Sequence, residues 1–159
     1  MRKYWLMKVE ASECTFEQLY DRPDGVGCWR GVRNYEARNN IRAMKKGDQV
    51  LFFQSRCSEP GVSGIAEVIR KPYPDPSAFD RESSHYDEKS DPANPRWFSV
   101  DVAPKIRFRR YVALASIKAT PKLAKMRVVQ RGQRLSVQIV DKEEFALVRS
   151  MGGRLTGRP

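Results

Sequence analysis

The densest run of aromatic, amide and cationic side chains lies between positions 28 and 39. Trp29 and Tyr35 offer flat rings on which a base can stack, which contributes roughly 1–3 kcal/mol per base. Asn34 carries a donor and an acceptor and can read the edge of a base, while Arg33 and Arg38 can bind phosphate through a fork of donors. Each residue also has an ordinary explanation, since Asn34 suits a helix N-cap and Trp29 suits a core. Their joint occurrence favours a base-binding pocket.

Two further pairs of small polar residues could complete such a pocket. Ser55 and Cys57 follow a continuous apolar run, and Ser136 and Gln138 share one face of a late strand. Hydroxyl and amide groups at strand ends can orient a planar ligand. The alternative is that they make hydrogen bonds to neighbouring turns, which is common.

The positive charge is concentrated in the second part of the chain. The net charge is +11; residues 1–102 hold 16 Lys and Arg against 16 Asp and Glu, and residues 103–159 hold 14 against 3. Such an excess attracts polyanions, although a basic surface can also serve solubility alone. The strongest candidates for phosphate contacts lie within 13 residues: Lys122, Lys125, Arg127, Arg131 and Arg134. A second stripe, Arg38, Arg42 and Lys45, either follows a phosphate backbone or forms a solvated helix face.

Composition excludes several other classes of protein. The 159 residues fit one domain. Three cysteines with wide spacing and the single His85 argue against a disulfide framework and a zinc site, and free thiols suit the cytoplasm. No apolar run is long enough to span a membrane or to form a signal peptide. Because no nucleophile elbow, Walker loop or dinucleotide fingerprint is present, we expect a non-enzymatic protein that requires neither cofactor nor metal.

Residues 72–95 hold five prolines and six acidic residues and are predicted to form a long loop. Its carboxylates Asp75, Asp80 and Asp87 could bind a divalent cation, but their spacing matches no known ligand loop. A charge complement to the basic surface is the simpler interpretation.

Hydrophobic periodicity predicts the elements that must position these residues. Strands are expected over 4–9, 49–55, 62–69, 97–102 (extended by 105–110) and 134–140, with helices over about 15–20 and 34–44 and after Asp141. Residues 25–33 are predicted to be a loop, 114–118 and 123–126 short helical turns, and 152–159 a flexible basic tail. The pattern predicts a mostly antiparallel sheet or small barrel with peripheral helices.

Ordered motifs along nearly the whole chain resemble the EVE domain family of the PUA-like superfamily. They are YWLMK at 4–8, GVRNY at 31–35, ARN at 37–39, EPG at 59–61, GIAEV at 64–68, NPRW at 94–97 and RLSVQ at 134–138. The resemblance implies an α+β fold over residues 1–151, a PUA-like curved mixed β-barrel with flanking helices, related to the ASCH, PUA and YTH domains.

The resemblance also implies a function and roles for individual residues. Domains of this superfamily bind RNA or DNA, and EVE domains are expected to read modified bases, including methylated or hydroxymethylated cytosine. By this analogy Trp29 is a cage wall, Trp97 a second wall or a core residue, and the base-edge contacts are Asn34, Ser55 and Gln138; Arg33, Arg38 and Arg131 hold the backbone. Two departures, GVGC at 25–28 and an isoleucine after Gln138, affect the expected pocket mouth and the late strand.

The sequence thus predicts a module that binds nucleic acid and holds one flipped or single-stranded, modified base. Three alternatives stay open: an RNA-binding module in RNA modification or processing, an enzyme acting on a nucleotide, and a small-molecule sensor or protein-interaction domain. A 2′-OH preference would identify the first, and turnover dependent on Ser55 or Cys57 the second.

Overall fold

The computed structural model describes residues 2–132 and 134–155, with the side chain of Cys28 excepted. Within these ranges the chain forms seven strands and four helices. The strands are β1 (Tyr4–Glu10), β2 (Gly27–Trp29), β3 (Gln49–Ser55), β4 (Gly61–Val68), β5 (Tyr73–Pro74), β6 (Phe98–Ala113) and β7 (Val137–Val140). The helices are α1 (Phe16–Tyr20), α2 (Tyr35–Ala43), α3 (Leu114–Lys118) and α4 (Lys142–Gly152), and none in the described part is long and apolar enough to cross a membrane.

The strands form one mixed sheet in the order β2-β6-β4-β3-β1-β7, with β5 pairing on β6. The neighbours β1 and β3 run parallel, with Tyr4 opposite Gln49 and Glu10 opposite Ser55, and the other pairs are antiparallel. Register shifts in β3–β4 and β4–β6 mark irregularities of the kind that bend a sheet. Among the described residues, β2 and β7 each pair with one strand, so the expected barrel is open.

The sheet buries apolar side chains on both faces. Leu6, Leu51 and Ile65 belong to one core, which α3 and α4 cover through Ile117, Phe145 and Val148. The alternate positions Trp5, Val50 and Ala66 belong to the other core, which α2 covers through Ala37 and Ile41. This arrangement explains why residues 50–53 read as an uninterrupted apolar run, since a strand covered on both sides has no solvent-facing position.

Cap residues start the helices, and of the two residues in the sequence that could cap the first helix, Ser12 and Thr15, the structure uses Thr15. Thr15 and Gln18 form a capping box at α1, and Asn34 accepts a hydrogen bond from the Ala37 N–H at the start of α2. Asp141 and Glu144 form the capping box of α4. These side chains satisfy backbone donors that a helix start otherwise leaves unpaired.

Four sequence predictions need correction. Residues 25–33 contain β2, which pairs with the first part of β6 and which no periodic pattern marks because it has three residues. The late strand begins at Val137 instead of 134. The predicted turn at 123–126 lies between two 3₁₀ turns, Pro121–Leu123 and Arg127–Val129. α4 includes Gly152 of the predicted tail, and residues 156–159 lie outside the described part.

Candidate nucleic-acid interface

A cleft of about 860 Å³ opens where the parallel strands β1 and β3 end. Its walls come from both strands, from α1 and β2, from the segment before α2, from the long loop and from the chain just before β7. The lining residues are Lys8, Val9, Glu10, Glu13, Cys14, Leu19, Arg22, Gly27, Trp29, Arg30, Gly31, Val32, Arg33, Phe52, Ser55, Arg56, His85, Arg134 and Ser136. Its size lies within the range of small-ligand pockets.

Trp29 forms the aromatic wall of this cleft. β2 positions its backbone opposite Val100, and its ring packs edge-to-face on Phe52, with ring centroids 5.7 Å apart. Its side chain is half-buried, so part of the indole stays open to the cleft. A fixed and partly open indole is suited to stacking on a planar ligand.

Small hydroxyls and a lysine line the strand ends. The Ser55 hydroxyl donates to the Val9 carbonyl over 3.2 Å, and the backbone N–H of Lys8 donates to the Ser136 carbonyl over 2.8 Å. Partial burial lowers the pKa of Lys8, because desolvation disfavours its charged form. These contacts hold β1, β3 and the chain before β7 together around the cleft.

Cationic side chains outnumber acidic ones in the cleft by six to two. The cations are Lys8, Arg22, Arg30, Arg33, Arg56 and Arg134, and the acids are Glu10 and Glu13. Arg56 approaches Glu10 at 3.3 Å and stays largely exposed, at the rim. Five of the six cations precede residue 102, in the part of the sequence whose charges cancel when counted along the chain. An excess of positive charge in a concave site raises the local concentration of anions.

The long loop forms the opposite wall. Asp75 is fully buried and accepts hydrogen bonds from the Gly31 N–H at 2.9 Å, from Arg33 at 3.0 Å and from the Ser77 hydroxyl at 2.6 Å. Burial by itself raises the pKa of Asp75, but these hydrogen bonds outweigh it and lower the pKa overall. Arg33 also donates to the His85 carbonyl at 2.5 Å, which brings His85 into the cleft.

Trp97 lies behind this wall, in the core. It is 6% exposed, stacks on Tyr35 with centroids 5.0 Å apart and has Arg33 over its ring. Its indole N–H donates to Asp87 at 2.7 Å, and this hydrogen bond is the main reason that the pKa of Asp87 is lowered. The structure therefore places Trp97 in the core, and Tyr35 does not line the cleft.

Three other predicted pocket residues also lie away from the cleft. Asn34 uses its side-chain oxygen as the N-cap of α2. Cys57 points its thiol at the Gln54 carbonyl, 3.8 Å away. Gln138 is 1% exposed and donates to the Leu135 carbonyl at 2.8 Å. Of the eight predicted pocket residues, the cleft brings together Trp29, Ser55 and Ser136.

The predicted phosphate-contacting residues divide in the same way. Arg33 and Arg134 line the cleft, and Arg33 also binds the long loop. Arg38 does not line the cleft but holds the long loop by donating to the Arg96 carbonyl at 3.1 Å. Arg127 pairs with Glu36 on α2. The other three residues of this prediction are exposed and do not line the cleft: Lys122, Lys125 and Arg131.

Lys8, Glu10 and Arg56 line the cleft but were not predicted from the sequence. Each lies at the end of β1 or β3, and their proximity depends on the parallel pairing of these strands. The sequence predicted a mostly antiparallel sheet, and that prediction gave no reason to expect residue 10 beside residue 55. The described part of the chain holds no group of His, Cys, Asp or Glu side chains arranged to bind a metal ion.

Comparison with known proteins places this architecture among described families. A model of the EVE domain matches residues 3–151. Thymocyte nuclear protein 1 of Homo sapiens is 37% identical over 167 residues, an alignment that covers 95% of this chain and 74% of that protein.

Solved structures agree with the family match. A Pseudomonas putida protein is 42% identical with a TM-score of 0.88, covering 93% of this chain and 98% of its own. The human thymocyte nuclear protein in complex with 5-methylcytosine-containing DNA is 36% identical with a TM-score of 0.88, and the alignment covers 99% of each chain. The α+β, PUA-like fold expected from the sequence therefore extends over nearly the whole chain, with an open barrel.

Proposed function

Since this chain belongs to the EVE domain family, we propose that it is a nucleic-acid-binding module that holds a single modified base, 5-methylcytosine first among the candidates, in the cleft beside Trp29. The observation that carries this proposal is the combination of one half-buried indole with six cationic side chains around the same cleft. The human relative crystallised with 5-methylcytosine-containing DNA supports the choice of base.

In the proposed mechanism, the protein first binds the phosphate backbone and then recognises one base. Cations at the cleft rim, such as Arg22, Arg56 and Arg134, contact phosphates without regard to sequence. The target base then leaves its stack, which costs a few kcal/mol and costs least in single strands. Stacking on Trp29 returns roughly 1–3 kcal/mol. A methyl group that fills apolar space beside Leu19 and Phe52 adds roughly 0.8 kcal/mol, or about fourfold in affinity.

The two carboxylates of the cleft suit a cytosine rather than a thymine. Both 5-methylcytosine and thymine carry the methyl group, but cytosine presents an amine where thymine presents a carbonyl oxygen. Glu10 and Glu13 can only accept hydrogen bonds when ionised, so either can accept from the amine and would repel the carbonyl. We therefore propose that the cleft prefers 5-methylcytosine to thymine.

We further propose that the protein is a binding module rather than an enzyme. Ser55 is one of two residues whose substitution would test for catalysis. Its hydroxyl donates a hydrogen bond to the Val9 carbonyl, and this contact does not activate the oxygen as a nucleophile. Cys57, the other candidate nucleophile, does not line the cleft. Binding with no turnover is the outcome that this arrangement favours.

The test is a titration of labelled oligonucleotides followed by fluorescence anisotropy. Matched strands carry cytosine, 5-methylcytosine or thymine at one position, each as DNA and as RNA. The wild type is expected to prefer 5-methylcytosine about fourfold over cytosine, and Trp29→Ala to weaken binding by roughly 5- to 160-fold and to abolish that preference.

Tyr35→Ala is the matched control, because it removes an aromatic ring that does not line the cleft. It is expected to keep the preference for the methylated base. Equal affinity for all strands, unaffected by Trp29→Ala, would overturn the proposal. A preference for RNA over DNA of the same sequence would assign the domain to RNA instead, since the 2′-OH distinguishes the two.

A further inference from the structure

A second basic groove, of about 400 Å³, lies where β1 and β3 begin. Tyr4, Ile106 and Phe145 form its apolar surface, and the rings of Tyr4 and Phe145 lie 4.4 Å apart. All three belong to or pack on the core that α4 covers, whereas Phe52 and Trp29 of the cleft belong to clusters on the other face of the sheet.

The groove is lined by four cations and, within the described residues, by no acid. Arg2 comes from the start of the chain, Lys142 and Arg149 from α4, and Arg154 from the segment after it. Arg110 lies close by, since its guanidinium is 3.1 Å from where a Cβ on Gly153 would stand. Four converging cations without an acidic neighbour in the lining repel one another, and an anionic ligand relieves that repulsion.

Helix stabilisation explains only one of these cations. Arg149 lies in the last turn of α4, where a positive charge interacts favourably with the helix dipole. Lys142 lies at the opposite end of the same helix, where that dipole disfavours a cation, and Arg2 comes from a different part of the chain. Helix stabilisation therefore does not account for the charge of the groove, and that charge suits an anionic ligand.

The groove contains part of the positive charge from the second half of the chain that does not line the cleft. Residues 103–159 carry the whole net charge of +11, yet they contribute only Arg134 to the cations of the cleft. Three of the four groove cations come from this part of the chain: Lys142, Arg149 and Arg154.

Distance separates the two sites. The cleft is at the carboxyl ends of β1 and β3 and the groove at their amino ends, and the seven residues of β1 span about 20 Å. That length corresponds to roughly six phosphates along one strand of a duplex, so the groove cannot contact the nucleotides next to a base held in the cleft.

We propose that this groove binds the phosphodiester backbone of a second segment of nucleic acid, without reading its sequence. The identity of the ligand rests on the proposed function, whereas the location of the site rests on the groove alone. The domain thereby holds two segments at once, one through a single base and one through its phosphates.

The experiment compares three variants of the full chain for binding to a duplex of about 30 base pairs and to a six-nucleotide strand, each at several salt concentrations. The groove variant is Lys142→Gln/Arg149→Gln/Arg154→Gln. Its matched control, Lys71→Gln/Lys89→Gln/Lys118→Gln, removes the same charge from exposed positions outside both sites. The third variant is Trp29→Ala, and circular dichroism melting checks the fold of each.

On the duplex, the groove variant is expected to reduce the slope of log K against log salt by about 2 to 3, because each lost phosphate contact removes about 0.9. The control is expected to change the slope by less than about 1, since dispersed charges release few counterions. The groove variant is expected to keep the preference for a methylated base on the short strand, which Trp29→Ala loses.

An identical slope for the groove variant and its control would overturn the inference. So would a groove variant that loses binding to phosphatidylserine vesicles while its duplex binding stays unchanged, because the ligand would then be a lipid surface. Absence of any base preference in the wild type would contradict the proposed function, but it leaves the comparison of slopes intact, so the two failures are distinguishable.

Discussion

At the residue scale, Gly31 couples the segment before α2 to the long loop. Its φ is +77°, and a Cβ at this position would lie 2.3 Å from the His85 ring. Both facts require glycine, since other residues adopt this backbone at a cost of about 1–2 kcal/mol and the ring occupies the space of a methyl group. A methyl group at residue 31 would therefore displace the His85 side chain of the long loop from its place beside the cleft.

We expect Gly31→Ala to lower the free energy of unfolding by more than backbone strain alone. Gly132→Ala is the control, because Gly132 has a similar φ of +74° but no atom lies within 4 Å of where its methyl group would stand. In urea denaturation both variants should lose about 1–2 kcal/mol from strain, and Gly31→Ala should lose at least about 1 kcal/mol more from displacing His85. Equal losses would contradict the contact with His85.

Asp75 stabilises the same wall through its charge. Its pKa is lowered by the net effect of the hydrogen bonds from Ser77, Gly31 and Arg33, against a burial that raises it. A carboxylate with a lowered pKa stabilises the fold above its unfolded pKa of about 3.9, and that contribution is lost as the pH falls through the folded pKa.

We expect Asp75→Asn to lower the free energy of unfolding at pH 7 by about 3 kcal/mol, because it leaves the Arg33 charge unpaired. The difference from the wild type should shrink as the pH falls below about 4, because the unfolded chain then takes up a proton at Asp75, and it should vanish once the pH passes below the lowered pKa of the folded state. Denaturation at several pH values measures this, with the exposed Asp80→Asn as a control that should change stability by less than about 0.5 kcal/mol. If the difference in unfolding free energy between Asp75→Asn and the wild type did not change with pH, the charge of Asp75 would not contribute to stability.

At the element scale, α2 acts as an anchor for the long loop. Arg33, just before the helix, binds Asp75 and the His85 carbonyl, and Arg38 within it binds the Arg96 carbonyl. The loop itself contributes only β5 and one 3₁₀ turn, Pro76–Phe79, to regular structure. Beyond the short pairing of β5 on β6, its position therefore depends strongly on these side chains.

Removing one anchor should loosen one end of the loop. We expect Arg38→Gln to speed hydrogen exchange of the backbone at 90–96 by about fivefold to tenfold, the equivalent of roughly 1 kcal/mol for one hydrogen bond to a charged group at a half-exposed site. Exchange in β6 should stay unchanged. Lys45→Gln, an exposed position just after the same helix, should leave the loop as it is; faster exchange in both variants would indicate general destabilisation instead.

At the scale of the whole molecule, one sheet connects two cores. Trp5 lies in the core that α2 covers, and Phe145 and Val148 lie in the core under α4. Since β1, β3, β4 and β6 contribute side chains to both, neither core can form without the strands that build the other. The fold should therefore unfold as one cooperative unit.

Val148→Ala tests that cooperativity, because Val148 lies in the core without a tryptophan, while tryptophan fluorescence reports on the rest of the molecule. We expect a loss of about 2 kcal/mol from the fully buried Val148, with the midpoints by tryptophan fluorescence and by circular dichroism shifting equally. Glu143→Ala, a change near the exposed start of the same helix, should shift both by little. Two separate transitions would contradict a single cooperative unit.

Features that depend on interactions between neighbouring residues could be predicted from the sequence. The caps Thr15, Asn34 and Asp141 start helices because a short polar side chain next to an apolar periodic run satisfies free backbone donors. The uninterrupted run at 50–53 predicted a strand covered on both faces. Trp29 was predicted as a cleft wall because it stands with Arg33, Asn34 and Tyr35 in one aromatic and polar segment and because the resemblance to the EVE family implies that role, and it does line the cleft.

Which charged side chains lie close together depends on how the strands and helices pack, and this could not be predicted from the sequence. Lys8 and Arg56 share one cleft because β1 and β3 pair in parallel, a register that no periodicity encodes, and Arg22 after α1 and Arg134 before β7 line the same cleft. Of the phosphate surface predicted over residues 122–134, Arg134 lines the cleft. The cations from Lys122 to Arg131 lie outside the cleft, in a stretch that contains two 3₁₀ turns. Charge counted along the chain cannot reveal charge gathered in space, because electrostatic energy depends on distance between atoms and not on separation in sequence.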